Sequence, residues 1–162
     1  SLDSARLQVA LAQALDISTS GIDAYILGEH GDSSFGAFDE ATIQGKPLKT
    51  YPGISPALLT KITDQVHGKG SKIISHKGAT YYGVATSLMK ICRAILLDQA
   101  IALPISAPLE GQYGIHDLYL GTPAVIAAGG IQTVLEAQLS EDEYRRMQAS
   151  AKAIAKILMA VE

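Results

Sequence analysis

Ile22-Asp23-Ala24-Tyr25-Ile26-Leu27-Gly28-Glu29-His30-Gly31-Asp32 is the stretch around which the chain is organised. Its first half is rich in β-branched and aromatic residues, which predicts a strand that ends at Gly28 and carries His30 to its rim. Glycines on both sides permit sharp turns and a close approach of a small ligand to the backbone. Glu29 and Asp32 are near enough in sequence to accept a hydrogen bond from the imidazole, which suits proton transfer. An ordinary histidine in a polar turn is the alternative on these residues alone.

Residues 1–15 predict a helix, because apolar residues recur among strong helix formers and a serine is available as a cap. Asp3 and Arg6 are three positions apart on this helix and share a face. The planar guanidinium of Arg6 is suited to grip a carboxylate at two points, which a lysine does not do. A surface ion pair, worth less than about 1 kcal/mol, is the alternative for this pair.

Leu2-Asp3-Ser4-Ala5-Arg6 followed by Gly28-Glu29-His30-Gly31-Asp32 resembles the L-lactate/L-malate dehydrogenase superfamily, and specifically its carboxy-terminal half. The blocks at residues 77–80, 121–125 and 139–143 also look like landmarks of that family. The resemblance implies that residues 1–162 form one domain, the substrate-binding and catalytic C-terminal domain of an NAD-dependent L-2-hydroxyacid dehydrogenase. It also implies an upstream Rossmann domain, and a homodimer or homotetramer.

The same resemblance implies roles for particular side chains. His30 is the expected proton donor and acceptor, Asp3 its paired carboxylate, and Arg6 the anchor of the substrate carboxylate. Thr80 is expected to line the substrate pocket and to cap the helix that follows. Val84 is expected to contact the nicotinamide ring of NAD, with packing in the core as its alternative. The implied substrates are small 2-keto and 2-hydroxy acids.

Some positions separate the members of this superfamily. Glu29 resembles lactate dehydrogenases, since malate dehydrogenases usually carry glycine there, and it favours pyruvate and L-lactate. The blocks at 6–8 and 82–87 resemble L-2-hydroxyisocaproate dehydrogenases, which leaves a bulkier keto acid open. Gln8 and Asp23 stand where relatives activated by fructose 1,6-bisphosphate have an arginine and a histidine. We therefore expect no activation by that sugar bisphosphate.

Composition excludes several other classes of protein. The 48% of hydrophobic residues in 162 suits one domain with a sizeable core. The net charge of -3 gives no basic surface for nucleic acid, and no stretch approaches the roughly 20 apolar residues of a membrane span. Cys92 is the only cysteine, which argues against a disulfide and favours a cytoplasmic protein. His67, His76 and His116 are interpreted as surface or structural residues, so no metal site is predicted.

The remaining pattern predicts an α+β fold of antiparallel strands packed against long helices. Between residues 33 and 48 we expect two short strands with a hairpin turn at 45–47. Ser55-Pro56 marks the start of a helix, and Gly68 and Gly70 predict a bend or break in it.

The second half of the chain is expected to contain further helices and antiparallel strands. Thr80 opens a predicted helix over 81–99, and a long antiparallel pair is expected over 100–108 and 117–127. A third strand is expected at 131–136. Ser140 and Glu143 form a capping box in the sequence, which predicts a last helix running to about Val161.

The sequence opens inside a helix signal without a methionine, and no Gly-x-Gly-x-x-Gly opens a helix after a strand. We therefore expect the dinucleotide-binding half upstream of Ser1, and no turnover by the 162-residue fragment alone. The non-enzymatic alternative is a module that serves oligomerisation only, through its long amphipathic helices.

Overall fold

A computed structural model describes residues 1–160 as four long helices and two antiparallel three-stranded sheets, which confirms the predicted α+β class. The helices are α1 (Leu2–Leu15), α2 (Pro56–Lys77), α3 (Tyr82–Leu96) and α4 (Glu141–Met159). The strands are β1 (Ile22–Leu27), β2 (Phe35–Ile43), β3 (Lys46–Pro47), β4 (Ile101–Glu110), β5 (His116–Ala127) and β6 (Gly130–Val134). Among the described residues, no helix combines the length and the apolar character needed to cross a bilayer.

The first sheet has the order β1-β2-β3 and the second the order β4-β5-β6. The prediction of two short strands between residues 33 and 48 is wrong, because β2 is one continuous strand. The hairpin turn also lies one residue earlier than predicted, at Gln44 and Gly45, whose φ angles are 51° and 75°. A two-residue hairpin with both central residues in the left-handed region matches the twist of the strands that it joins.

The two sheets meet at a pair of glycines, where β1 ends. The amide of Gly28 donates to the carbonyl of Gly121 at 3.0 Å, and the amide of Gly121 donates back to the carbonyl of Gly28 at 2.6 Å. A Cβ atom on Gly121 would lie 2.6 Å from the carbonyl oxygen of Gly28. Only a residue without a side chain permits this approach. The bridge therefore fixes the start of the loop that carries His30.

Three hydrophobic clusters support the two sheets, and the smallest packs Ala94 of α3 with Leu103 of β4 and Ile126 of β5. Leu7 and Leu11 of α1 pack with Ile62 of α2 and with residues of β1 and β2 in the first core. Met147 of α4 packs with Leu120 of β5 in the second. Leu27 and Phe35, the residues at the two ends of the loop between β1 and β2, both belong to this second core, which anchors the loop at both ends.

The predicted break in α2 is wrong, because the helix continues through Gly68 and Gly70 to Lys77. A Cβ atom at either glycine would meet nothing within 4 Å, so these positions lie at open space. Each glycine costs a helix about 1 kcal/mol relative to alanine, which weakens α2 without ending it. The predicted start is confirmed, since Ser55 Oγ accepts a hydrogen bond from the amide of Leu58 at 3.2 Å.

The predicted cap and end of α3 are wrong. Thr80 lies before the N-cap position, which Tyr81 occupies without a capping side chain. The helix ends at Leu96 and not at residue 99, because Asp98 and Ala100 adopt left-handed φ angles of 47° and 48°. Left-handed residues do not continue a right-handed helix.

The N-termini of α1 and α4 differ in how well they agree with the sequence predictions. Ser1 occupies the N-cap position of α1 but makes no cap, because its hydroxyl donates to the carbonyl of Pro104 at 2.6 Å. The predicted capping box of Ser140 and Glu143 is confirmed at the start of α4. The predicted end of that helix at Val161 lies outside the described residues.

Candidate active site

The structure brings Asp3, Arg6 and His30 together. Asp3 Oδ1 accepts a hydrogen bond from Arg6 Nη1 at 2.9 Å, and Asp3 Oδ2 accepts one from His30 Nδ1 at 2.7 Å. The side chains of Asp3 and Arg6 are 18% and 17% exposed, whereas that of His30 is 83% exposed. The imidazole therefore presents most of its surface to a ligand, while a shielded carboxylate holds one ring nitrogen.

The partner of the imidazole is not the one that its sequence neighbours indicated. Glu29 turns away from the ring, and its Oε1 accepts hydrogen bonds from the amide and the hydroxyl of Ser33 at 3.1 and 2.6 Å. A carboxylate only accepts hydrogen bonds, so Asp3 fixes the tautomer with hydrogen on Nδ1. Nε2 of His30 is then the nitrogen that can accept or donate a proton at the open side of the ring.

A cavity of about 300 Å³ lies beside this triad. Its walls come from α1, from the loop after β1, from the second half of α2 and from the start of α3. The five candidate residues all line it: Asp3, Arg6, His30, Thr80 and Val84. Residues that are far apart in the sequence thus share one concave surface of the size that small ligands use.

Val84 lies at the border of two cavities. Its side chain is 48% exposed, so the alternative that it packs in the core is wrong. It lines the 300 Å³ cavity and also an adjoining groove of about 690 Å³, whose other lining residues include Leu88 and Ile91. Val84 therefore gives the His30 side of the cavity an apolar neighbour. Thr80 is half-buried and lines only the smaller cavity.

A hydrogen-bond network that the sequence did not predict holds the loop that carries His30. The amide of Glu29 donates to Ser150 Oγ at 2.7 Å, and the hydroxyls of Ser150 and Ser33 are hydrogen-bonded at 3.0 Å. Ser150 is fully buried on α4. No local signal in the sequence indicates this contact, apart from a serine among the apolar residues of that helix.

The prediction that His67 is a surface residue is confirmed, since its side chain is exposed, and His67 also lines the 300 Å³ cavity. Its Nε2 is hydrogen-bonded to Ser34 Oγ at 2.8 Å, and that hydroxyl donates to the carbonyl of Gly31 at 2.8 Å. His67 directly follows Val66, which is one of the buried residues of α2. In residues 1–160 no cluster of three or more His, Cys, Asp or Glu side chains is arranged to hold a metal ion.

Comparisons with known proteins agree with this architecture. Residues 1–162 match the family described as lactate/malate dehydrogenase, alpha/beta C-terminal domain. L-lactate dehydrogenase 2 of Lactobacillus johnsonii is 50% identical over 162 residues, which cover 100% of this chain and 53% of that protein. L-lactate dehydrogenase 2 of Lactiplantibacillus plantarum is 58% identical over 148 residues, which cover 91% and 48%.

Solved structures give the same result. A minor L-lactate dehydrogenase from Enterococcus mundtii in a ligand-bound form has a TM-score of 0.95 at 32% identity, over 99% of this chain and 52% of that one. The malate dehydrogenase from Aeropyrum pernix has a TM-score of 0.90 at 31% identity, over 98% and 53%. The chain spans about half the length of the curated relatives that it matches. By sequence and by fold, the chain belongs to the lactate/malate dehydrogenase family and has the architecture of its C-terminal domain.

Proposed function

We propose that residues 1–162 are the substrate-binding, catalytic domain of an NAD-dependent L-lactate dehydrogenase. Joined to its dinucleotide-binding domain, it would interconvert pyruvate and L-lactate. The observation that carries this proposal is the pairing of Asp3 with His30 beside Arg6, at the wall of one cavity. The names of the relatives support lactate as the hydroxy acid.

Each of the three side chains has a separate task in this proposal. Arg6 holds the substrate carboxylate with two parallel hydrogen bonds, which fixes the face of the carbonyl group that is presented. His30 donates the proton from Nε2 to the carbonyl oxygen during reduction and takes it back during oxidation. Asp3 orients the ring and stabilises its charged form, so it acts on the proton-transfer step through His30.

NAD is the cofactor of the proposed enzyme, and the residues beside the cavity fit its reactive end. Val84 and Leu88 are 48% and 56% exposed and line the apolar groove next to His30, which suits one face of a nicotinamide ring. When bound, NADH supplies the hydride for the carbonyl carbon. Val84 would keep water away from the carbonyl carbon while His30 transfers the proton.

The proposal includes an upstream Rossmann domain and assembly as a homodimer or homotetramer. Exposed apolar side chains on α3 support further contacts, since Tyr82 and Leu96 are 72% and 81% exposed. Such surfaces are typical of an interface with another domain or subunit. A cytoplasmic location is also part of the proposal, and Cys92 as the single cysteine supports it.

The decisive experiment is pyruvate-dependent oxidation of NADH by the full-length protein and by its His30→Ala variant. We expect turnover by the parent and a loss of about 10²- to 10⁴-fold in kcat/KM in the variant, because general acid catalysis is removed. Intact activity in a folded variant would favour the non-enzymatic alternative, an oligomerisation module. Oxaloacetate and 2-ketoisocaproate in the same assay distinguish lactate dehydrogenase from the malate and hydroxyisocaproate alternatives.

A further inference from the structure

We propose that Ser150 of α4 is a positioning residue for His30: its hydroxyl group fixes the backbone beside His30 and thereby sets the rate of proton transfer, without taking part in substrate binding. This inference rests on the proposed function, because it assigns a support to the acid and base of that reaction. Ser150 is fully buried and lines neither the 300 Å³ cavity nor the adjoining groove. Its effect on turnover must therefore pass through the residues that it contacts.

Three hydrogen bonds form a closed ring that begins and ends at Glu29, the residue before His30. The amide of Glu29 donates to Ser150 Oγ at 2.7 Å, and the hydroxyl oxygens of Ser150 and Ser33 are 3.0 Å apart. The hydroxyl of Ser33 lies 2.6 Å from Oε1 of Glu29, and a carboxylate only accepts hydrogen bonds. Because a charged acceptor forms the stronger bond, the single hydroxyl proton of Ser33 goes to Glu29, and Ser150 donates its own proton to Ser33. Each serine hydroxyl thus both donates and accepts, so the loss of either one opens the ring.

The ring holds the chain on both sides of His30. Glu29 precedes His30 directly, and Ser33 follows it by three residues and also donates from its amide to Oε1 of Glu29 at 3.1 Å. On the amino-terminal side, a Cβ atom at Gly28 would lie 2.6 Å from Ser150 Oγ, so this hydroxyl is in close contact with the start of the loop. The imidazole is 83% exposed and gains little restraint from packing, so its position follows the backbone that the ring fixes.

Helix α4 makes Ser150 a fixed support for this ring. Met147 and Ala151, which flank Ser150 in the sequence, are buried in the second core. Two residues before Ser150, Gln148 Nε2 donates to the carbonyl of Tyr113 at 2.6 Å and ties the helix to the turn between β4 and β5. A close-packed helix of this kind leaves its buried side chains little freedom to move. Ser150 Oγ therefore presents its lone pair to the amide of Glu29 from a rigid element.

The proposed anchor of the substrate carboxylate does not depend on this ring. Arg6 lies on α1, where Asp3 accepts its hydrogen bond at 2.9 Å. Removal of the Ser150 hydroxyl leaves the amide of Glu29 without its acceptor, which frees the loop and displaces His30 from a substrate that Arg6 still binds. We therefore expect a loss in kcat with little change in KM, because the misplaced group acts in the transition state.

The test is steady-state kinetics with pyruvate and NADH on the full-length enzyme and its Ser150→Ala variant. We expect kcat to fall about tenfold and KM to stay within about twofold of the parent value. Gln148→Ala is the matched control, because it removes a hydrogen bond from the same helix to a backbone group, at Tyr113 and not at the His30 loop. It should leave both constants unchanged. Ser33→Ala should lower kcat as Ser150→Ala does, whereas Ser33→Thr, which keeps a hydroxyl group, should retain it.

A double-mutant cycle of Ser33→Ala and Ser150→Ala tests whether the two hydroxyls act through one ring. The loss of kcat in the double variant should be smaller than the product of the two single losses, since members of one hydrogen-bond network are coupled. The inference is overturned by a parental kcat in Ser150→Ala, an equal loss in Gln148→Ala, a KM that rises as much as kcat falls, or single losses that multiply fully. A parent enzyme that does not reduce pyruvate would instead refute the proposed function. If Ser150→Ala does not fold, the comparison of Ser33→Ala with Ser33→Thr decides.

Discussion

Replacing Gly121 with alanine tests whether the bridge between the two sheets positions His30, the proposed acid and base. The new Cβ atom would lie 2.6 Å from the carbonyl oxygen of Gly28, and that oxygen belongs to backbone that has no freedom to rotate away. The φ angle of Gly121 is not among the positive ones, so the effect is steric and not conformational. Relief requires the two strands to separate at this point.

The expected cost follows from what the separation breaks. The two hydrogen bonds between Gly28 and Gly121 are lost, at about 1 kcal/mol each. Crowding in a packed region adds about 1–3 kcal/mol. The free energy of unfolding should therefore fall by about 3–5 kcal/mol. Because Gly28 begins the loop that carries His30, kcat/KM for pyruvate should fall at least about tenfold, since small misplacements of reacting groups are costly.

Gly129→Ala provides the matched control, since a Cβ atom at Gly129 would meet nothing within 4 Å and its φ angle is not positive. Both variants would be made in the full-length enzyme and compared by urea unfolding and by steady-state kinetics with pyruvate. Gly129→Ala should match the parent in both assays. A Gly121→Ala protein with the stability and kcat/KM of the parent would show that the bridge does not position His30.

Two further substitutions test the carboxyl groups of Asp3 and Glu143. Asp3→Asn should lower kcat by about 10²-fold or more with a smaller change in KM, because the protonated His30 ring loses its carboxylate partner. Steady-state kinetics measure both constants. Equal changes in kcat and KM would contradict the proposed role of Asp3 in stabilising that ring. Glu143 accepts hydrogen bonds from the amides of Phe38 and Asp39, but burial raises its pKa above the ordinary value. The folded protein therefore binds the proton of the Glu143 carboxyl group more tightly than the unfolded protein does. The stability that this protonation contributes is fully present below the ordinary pKa and is lost as the pH rises through the folded pKa. We expect the parent to lose stability relative to Glu143→Gln as the pH rises from the ordinary pKa of a glutamate through the raised pKa of Glu143. Urea unfolding of both proteins across this pH range measures the difference. A parent that gains stability relative to the variant over this range would refute the raised pKa.

Local signals in the sequence predicted the elements whose bonds are local. The strand that ends at Gly28, the helix that begins after Ser55 and the capping box of Ser140 with Glu143 all depend on residues within a few positions of one another. The wrong prediction of a break in α2 arose where a local signal met open space. Gly68 and Gly70 lie where nothing crowds the helix, so their weak helical preference did not end it.

The candidate site was only partly predictable for a related reason. The residues next to His30 indicated Glu29 or Asp32 as its partner, because both are close in sequence. The carboxylate that binds the ring is Asp3, which lies 27 positions away on helix α1. Asp3 was named from the family resemblance and not from the pattern of the residues themselves. A turn decides which neighbours face a side chain, and Glu29 is turned toward Ser33 instead.

The orientation of the His30 ring depends on residues that are distant from it in the sequence. With 83% of its side chain exposed, the ring gains little restraint from packing, and its orientation depends on one hydrogen bond and on the loop beneath it. That loop is fixed by Gly121 of β5, Ser150 of α4 and His67 of α2, which the sequence places far from one another. The domain can therefore offer an open imidazole to a ligand and still hold it in one geometry. Substitutions at these supports should therefore affect stability and turnover together.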